Sequence, residues 1–489
     1  MSISKIICLF LILSFVSLYL VNFDISTLAQ VETTFENTAS TEAVTSVNDA
    51  ILKSMVIISQ VAVLGIIFNY FFFNRFLNKK RDNTYSSHEL KQQDVHSNTR
   101  ALKRVALIAI LCCLSIVIFS TCIILLQSYQ LSQTMGLDIY SAFDILFGTS
   151  VGQVWLLRVV TSSIIIATIV LFYFVSKMRE RITNPNNGDK LSTNKMHFFR
   201  NKKLDQIFLL GIMILSSLNL FSNSMVSHSN SLSSFSAIAV SMDWIHFMAV
   251  SIWIGGLFYL SLIFLKNIKP IDYNDTANRT NSVSDISNDI MSVHNISISL
   301  MNFSFVVIIA LCIIGISGLF LGYVHLQDLN SVFSTSYGQI LVLKLGLAFP
   351  LIFIGRYNQL KIYKYTSLVS ILVKKIGNIN KNDSILEQSR KNRIELFKRL
   401  NNSLKIESLL GIAVLIVASF LSLTSPPSLE AINQDSINIQ SSNESESSGS
   451  FFFFVVISLI VIISVTGIVN FRKNQKQVKK IFAITNGSN

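Results

Sequence analysis

The stretch Met242-Asp-Trp-Ile-His-Phe-Met-Ala-Val-Ser-Ile-Trp-Ile-Gly-Gly-Leu257 combines an aspartate and a histidine with mostly apolar neighbours. It lies in an apolar run, residues 238–265, that is long enough to cross a bilayer. Asp243 and His246 are three residues apart and Met242 and His246 are four apart, so a helix places all three on one face. Because ionisable groups are costly at membrane depth, this face predicts a site that binds or moves something.

The rest of the chain has the same apolar character. It has 489 residues, of which 51% are hydrophobic and 14% charged, a composition too apolar for a soluble globule. Continuous apolar runs predict an all-α fold, a polytopic transmembrane helical bundle of about nine helices, and they exclude a membrane β-barrel. The nine runs are residues 51–73, 105–127, 154–175, 206–226, 238–265, 303–325, 339–360, 405–424 and 451–471.

The two ends of the chain have their own predicted roles. Residues 1–29 are predicted to be a signal peptide or an uncleaved anchor, because a short apolar run follows Lys5 and ends in small residues. Residues 30–50 predict a polar tail outside the membrane. A polar outside linker, 429–450, precedes residues 451–489, which predict a ninth transmembrane helix and a basic cytoplasmic tail.

The net charge of +13 could indicate a nucleic-acid partner, but the distribution of the positive residues along the chain argues against one. Lysine and arginine concentrate in every second connection, and positively charged connections stay in the cytoplasm. We therefore predict a multi-pass protein of the cytoplasmic membrane with a cytoplasmic C-terminus, the lipid bilayer as partner and no nucleic acid. The connections without lysine or arginine are predicted to lie outside: 128–153, 222–237, 326–338 and 425–450.

An internal repeat organises the chain. Phe147-Gly-Thr-Ser-Val-Gly-Gln-Val-Trp-Leu-Leu-Arg158 matches Phe333-Ser-Thr-Ser-Tyr-Gly-Gln-Ile-Leu-Val-Leu-Lys344. The match predicts two parallel four-helix repeats, residues 51–226 (the first half) and 227–428 (the second half). The first half has Ser59 where the second has His246, so any role of that histidine belongs to one half.

Arg158 and Lys344 follow the shared Thr-Ser-x-Gly-Gln motif, a few residues into their helices. Two interpretations stay open. Each cation is an anchor whose side chain reaches the membrane surface, or each is a counter-charge for a carboxylate such as Asp243. Asp243 itself is either such a partner or an acceptor that orients an imidazole ring.

Several side chains that can bind a metal ion fall on the predicted outer side, since imidazole and thioether groups are ligands for transition metals. The candidate metal ligands are His246, His228, Met242, Met225 and His325. A packing role for each of these side chains remains an alternative. The five cysteines show neither a disulfide framework nor zinc spacing.

The second half resembles the copper resistance D (CopD) family of membrane proteins. The resemblance is good over 205–428 and weaker over 51–203. It is carried by Asp243-Trp-Ile-His246, Ile252-Trp-Ile-Gly-Gly-Leu257, Phe303-Ser304, Gly315-Ile-Ser-Gly318, Thr335-Ser-Tyr-Gly-Gln-Ile-Leu-Val-Leu-Lys344, Asn358, Glu407, Pro426-Pro427 and His228.

This resemblance implies copper ion transport across the cytoplasmic membrane with uptake from the outer side, or a role in copper homeostasis and resistance. Copper is then the cargo. Some members of that family carry an outer copper-binding domain, for which the outside tail here has no room, so a separate outer copper carrier is implied.

Two other functions remain alternatives. His246 and a second membrane histidine would suit axial ligation of a b-type haem, which would make the protein an electron carrier or oxidoreductase. A membrane scaffold or sensor subunit without cargo is the third possibility. The sequence shows no P-loop, no phosphorylatable Asp-Lys-Thr-Gly motif and no catalytic constellation, so an enzyme is not expected.

Overall fold

A computed structural model describes residues 47–81, 88–183, 202–231, 236–265, 283–326, 330–376 and 383–428, and within these ranges it contains no strand. We number its helices α1 Val47–Arg81, α2 His88–Met135, α3 Ile139–Gly148, α4 Ser150–Thr183, α5 Lys202–Met225, α6 Ser236–Phe264, α7 Val283–Leu326, α8 Ser331–Ser334, α9 Ser336–Ile376 and α10 Asp383–Leu421. The predicted signal, the polar linker 429–450 and the ninth helix lie outside the described residues, as does nearly all of the polar tail.

Eight of these helices are long and apolar enough to cross a membrane: α1, α2, α4, α5, α6, α7, α9 and α10. They coincide with the eight runs predicted between residues 51 and 424. The predicted all-α, polytopic helical class is therefore confirmed.

The long helices extend well beyond the apolar runs that predicted them. α2 begins at His88 instead of near residue 105, and α9 continues to Ile376 instead of ending near 360. The added segments are rich in lysine, arginine and leucine, which are good helix formers. The helical hydrogen-bond ladder therefore continues past the part of each helix that is apolar enough for the bilayer.

Two short helices lie within connections that the sequence analysis predicted to be outside the membrane. α3 lies in the 128–153 connection and α8 lies just before α9. Asp138 caps α3, where its carboxylate accepts hydrogen bonds from the hydroxyl and the backbone N–H of Ser141. The hydrogen bond from the Ser141 side chain is the main reason why the pKa of Asp138 is lowered.

α1 and α6 form the centre of the bundle. Their spans are each 72% buried, against 11% for α7 and α9. They cross at Gly65 and Gly255, where an added Cβ on Gly65 would lie 2.5 Å from the Cα of Gly255 and would also overlap the Ser251 carbonyl oxygen. Only glycine allows the two backbones to approach this closely.

Contacts in the first half have counterparts in the second. α1 packs on α2, α2 on α4 and α4 on α5, as α6 packs on α7, α7 on α9 and α9 on α10. The Thr149 hydroxyl accepts from Gly152 N–H, as the Thr335 hydroxyl accepts from Gly338 N–H. The two-repeat organisation remains a prediction, and these matching contacts agree with it.

α6 is not a uniform α-helix. It contains two π turns, Ser251–Gly255 and Leu260–Phe264. At the first, the Asn69 side-chain amide of α1 donates to the carbonyl oxygen of Ile252 at 3.1 Å. Single π turns inside helices are frequent at functional sites, and this one begins five residues after His246.

Candidate metal site

Five helix ends meet at one end of the bundle. The start of α1 contacts the end of α10, because the Lys53 ammonium donates to the Ser422 carbonyl oxygen at 3.3 Å. His228 follows α5 and His325 lies in the last turn of α7. We call this end of the bundle the histidine end; α6 also starts there, since it follows α5 directly along the chain.

The His246 imidazole is held by α7. Its Nδ1 lies 3.0 Å from the Ser317 hydroxyl, which donates its own hydrogen to the Ile313 carbonyl oxygen at 2.6 Å. Since that hydrogen is already used, the Ser317 oxygen accepts from Nδ1–H, and Nε2 of the neutral ring keeps its lone pair. A Cβ at position 318 would lie 3.3 Å from His246 Cε1, so Gly318 leaves space for the ring. Nε2 is therefore the nitrogen that can bind a metal ion.

The first half makes the corresponding contact with a serine. The Ser59 hydroxyl of α1 donates to the Ser115 hydroxyl of α2 at 3.0 Å. α1 and α2 correspond to α6 and α7 in the predicted repeat, and Ser59 aligns with His246. The two halves therefore share a cross-helix hydrogen bond at this position, and the second half adds an imidazole.

Asp243 lies one turn before His246 and is surrounded by polar groups from other elements. Ser224 and Ser227 flank its carboxylate, and the charges of Lys53 and Lys344 act on it. Within the described part of the chain, its Oδ2 is buried without a hydrogen-bond partner. Lys344 also acts on His246, so the predicted counter-charge lies close to the histidine.

Arg158 lies in an environment that fits neither a surface anchor nor a counter-charge for a carboxylate. It is 0% exposed, its Nε donates to the Ser222 hydroxyl at 2.7 Å, and its guanidinium lies 3.9 Å from the Trp155 ring centroid. Its side chain therefore does not reach out as a surface anchor, and the groups it contacts are a hydroxyl, a carbonyl and an indole instead of a carboxylate. Asn219 accepts from the Gln60 amide nearby at 2.6 Å. These contacts join α1, α4 and α5 in a buried polar network that the sequence analysis missed.

His228 and His325 come together although 97 positions separate them in the chain. His325 Nε2 lies 3.3 Å from the Ser229 hydroxyl, and the charge of His228 acts on His325. Among the described residues, neither His228 Nε2 nor His325 Nδ1 has a hydrogen-bond partner, and both are buried. Two ring nitrogens are therefore left to bind another atom, as a metal ligand requires.

Burial lowers the pKa of His228 below its usual value of 6.5, and the charge of Lys53 lowers it further, while a hydrogen bond to the Thr424 backbone opposes them. The ring therefore stays neutral at neutral pH. A neutral imidazole is the form that binds metal ions.

The predicted ligands do not form one preformed centre. In the part of the chain that the structure describes, no group of three or more His, Cys, Asp and Glu side chains is close enough to hold a metal ion together. Met225 is 40% exposed at the end of α5, and Met242 is half-buried on α6. What the structure contains instead is a histidine pair at the bundle end and a single oriented imidazole farther along α6.

One polar pair entered the sequence analysis only among the residues that carry the family resemblance. Glu407 of α10 and Asn358 of α9 are each 3% exposed, and the Asn358 amide donates to Glu407 Oε2 at 2.8 Å. An ionisable side chain buried in a membrane helix is itself a signal for a functional site. The sequence showed the glutamate, but only the fold shows its partner.

Comparison with known proteins bears on the chemistry of this site. Residues 298–421 match the family model of copper resistance protein D (CopD). The predicted resemblance to copper resistance protein D is confirmed. The CopD match begins in α7 and ends with α10, so it contains Ser317, His325 and Lys344, whereas His246 lies before it.

The chain is also similar to the copper transport protein CutJ of Bacillus subtilis (strain 168), with 27% identity over 194 residues. The aligned region covers 39% of this chain and 26% of CutJ, so the chain spans about a quarter of that relative's length. No solved structure matches the chain.

Proposed function

We propose that this protein carries copper ions across the membrane and that the ions enter at the histidine end. The CopD match and the similarity to a copper transport protein support copper as the cargo. The observation that carries the proposal is the orientation of His246, whose Nδ1–H is held by Ser317 while Nε2 remains available. Imidazole nitrogens are suitable ligands for copper.

The histidines suggest two successive binding positions. His228 and His325 lie at the end of the bundle, whereas His246 lies about 15 Å along α6 from Ser236 at 1.5 Å per residue. In this proposal an ion is first held by the histidine pair and then passes to His246. Met242, one turn from His246, and Met225, near the pair, are the thioethers available at the two positions.

The proposal also assigns the histidine end to the outside of the cytoplasmic membrane. The connections at that end lack lysine and arginine, and the opposite connections are basic, which favours a cytoplasmic C-terminus. Transport is then uptake. A separate outer carrier would deliver the ion, and the two halves of the predicted repeat would frame its path.

Asp243 has an electrostatic role in this pathway. The charges of Lys53 and Lys344 alone would repel a cation that approaches His246, because charges interact strongly away from water. The Asp243 carboxylate acts against both of them at the same place. Asp243 thus lowers the positive potential beside the imidazole without binding the ion itself.

The test exploits the difference between the halves. His246→Ser recreates at this position the serine–serine contact found between Ser59 and Ser115, so the fold should persist. We expect the variant to lose at least as much copper affinity as removal of the hydrogen-bond partner of a metal-binding histidine costs, about 10- to 100-fold, with an unchanged thermal unfolding midpoint. Uptake of labelled copper into cells and metal content of the purified protein provide the two readouts.

Ser59→Ala is the matched control, because it removes the corresponding hydroxyl from the first half. It should leave copper binding and uptake unchanged. Wild-type copper binding in a well-folded His246→Ser protein would contradict the proposed site. A reducible Soret band in the visible spectrum of purified wild-type protein would instead favour the haem alternative.

A further inference from the structure

Glu407 and Asn358 form a buried pair at the other side of the second half from the histidine end. Counted back from Leu421, Glu407 lies about 21 Å along α10 at 1.5 Å per residue, deeper than His246. Gly355 makes room for the carboxylate, because a Cβ there would lie 3.0 Å from Glu407 Oε1.

The pair has more acceptors than donors. The Asn358 amide nitrogen donates to Glu407 Oε2, but the Asn358 Oδ1 atom is buried and lacks a donor among the described residues. An ionised carboxylate offers only acceptors. A proton on Glu407 supplies the missing donor, because the acid O–H can reach the amide oxygen of the same partner. Asn358 can therefore bind either form of the carboxyl group.

No cation compensates this carboxylate in the described parts of the helices around it. Asn358 is the side chain that acts on it. The titratable groups on the neighbouring segments are Tyr70 of α1, Tyr259 of α6, Arg356 and Tyr357 of α9, and Lys398, Arg399 and Lys405 of α10. Asp49 and Lys53 of α1 and Lys344 of α9 lie toward the histidine end. A buried carboxylate without a cation is costly, so it binds a proton or a positive ion.

This pair belongs only to the half that has His246. Leu210-Gly-Ile212 aligns with Leu410-Gly-Ile412, so Ile207 is the first-half counterpart of Glu407. Ile207 is 65% exposed, as expected for a side chain that faces lipid.

The same helices connect the pair to the histidine. α6 carries His246 and also Ser261, whose hydroxyl lies 3.3 Å from that of Ser408, the residue after Glu407. α9 carries Lys344 near its start and Asn358 at the end of its apolar span. A shift of α6 or α9 that accompanies ion binding at His246 therefore also changes the surroundings of Glu407.

We propose that Glu407 and Asn358 form a proton-exchange site that couples movement of the cation to movement of protons. This inference rests on the proposed transport function. In each cycle the Glu407 acid releases one proton to become the carboxylate and later binds one again, and no electron is transferred. Asn358 donates to the carboxylate form and accepts from the acid form.

The test uses the full chain in liposomes that contain a pH-sensitive dye, with copper added outside. Wild-type protein should change the internal pH as copper enters. Glu407→Gln mimics the protonated acid, since its amide can donate to Asn358 Oδ1 and accept from Asn358 Nδ2. We expect this variant to fold and to bind copper as wild type does, with proton movement reduced at least tenfold. Ser216→Ala is the control, because it removes a buried hydroxyl that donates to the Ile212 carbonyl oxygen within α5 of the first half, and it should retain proton movement.

The outcomes separate the two proposals. Copper uptake by wild type without a pH change, or unchanged proton movement in Glu407→Gln, overturns the proton-exchange site and leaves the transport function standing. If wild type moves no copper, the transport function fails. In that case, modification by a hydrophobic carbodiimide tests the site. The reagent should modify Glu407 of the wild type faster at low pH. Absence of modification at every pH overturns the proton-exchange site.

Discussion

The His246 imidazole depends on a neighbouring helix for its chemistry. Ser317 of α7 accepts from Nδ1–H and thereby selects the tautomer whose Nε2 can bind a metal ion. Such outer hydrogen bonds usually orient a metal-binding histidine and raise its basicity. In the proposed site, Ser317 therefore contributes to copper affinity without touching the ion.

We predict that Ser317→Ala lowers copper affinity by about 10- to 100-fold, the usual effect of removing the hydrogen-bond partner of a metal-binding histidine. Competition titration with a copper chelator measures the change. Ser115→Ala removes the equivalent serine of the first half and is the control, for which we expect no change. Equal losses in the two variants would mean that the effect is one of packing.

A second residue-scale prediction concerns pH. Burial and Lys53 lower the pKa of His228, so the folded protein keeps this ring neutral below pH 6.5, whereas the unfolded chain gains a proton there. The free energy of unfolding should therefore fall as the pH falls below about 6.5, and copper affinity should persist to a lower pH than for a free imidazole.

Titration of copper binding against pH, in the wild type and in Lys53→Met, checks this prediction. Removing the lysine charge should move the loss of affinity toward higher pH, because the protonated His228 ring is no longer repelled. A wild-type midpoint at or above pH 6.5 would show that His228 does not contribute to binding.

At the scale of elements, α6 combines the features that matter most for the site. It carries His246, contains two π turns and crosses α1 at two glycines. At the first π turn, the Asn69 amide of α1 donates to the carbonyl oxygen of Ile252, which also accepts from the Gly256 N–H. The position of His246 relative to the first half is therefore controlled by the contact between these two central helices.

We predict that Gly65→Ala destabilises the protein by about 1–3 kcal/mol, the typical cost of overpacking a well-packed core. The new methyl group would overlap the Ser251 carbonyl oxygen and the Gly255 backbone. Gly211→Ala on α5 is the control, since nothing lies within 4 Å of its added Cβ, and it should be neutral or stabilise by up to about 1 kcal/mol. Thermal unfolding in detergent compares the two, and a similar midpoint for both would contradict the close crossing.

At the scale of the whole molecule, the two halves share an arrangement of helices but differ in content. The first half encloses Arg158 in a network of hydroxyl and amide groups. The second half contains the oriented imidazole of His246 and the Glu407 carboxyl group. In the proposed function, this difference places ion binding in the second half and gives the first half a supporting role.

The predicted parallel orientation of the halves indicates which sites a membrane-impermeant thiol reagent should reach. Tyr140 of α3 is 80% exposed and Phe333 of α8 is 76% exposed, and both lie at the histidine end. Cysteine at either position should be labelled in intact cells. Met178→Cys, beyond the opposite end of the α4 span, should be labelled only after the membrane is permeabilised. Labelling of only one of the first two positions would rule out a parallel repeat.

The sequence by itself determined the class of protein, the number of spans between residues 51 and 424 and the residues that carry unusual chemistry. Apolar runs of bilayer length leave little choice but a helix, because the backbone must satisfy its own hydrogen bonds in lipid. An aspartate or histidine within such a run is visible without a structure. The ends of the helices were less predictable, since polar flanking segments continue the helix.

Only the tertiary structure decided which side chains meet. It placed His228 beside His325, gave His246 its Ser317 partner, buried Arg158 on Ser222 and joined Glu407 to Asn358; these pairs are separated by 49 to 97 positions in the chain. The periodicity of a helix shows which of its own residues share a face. It does not show which other helix covers that face, because this depends on how the spans pack together.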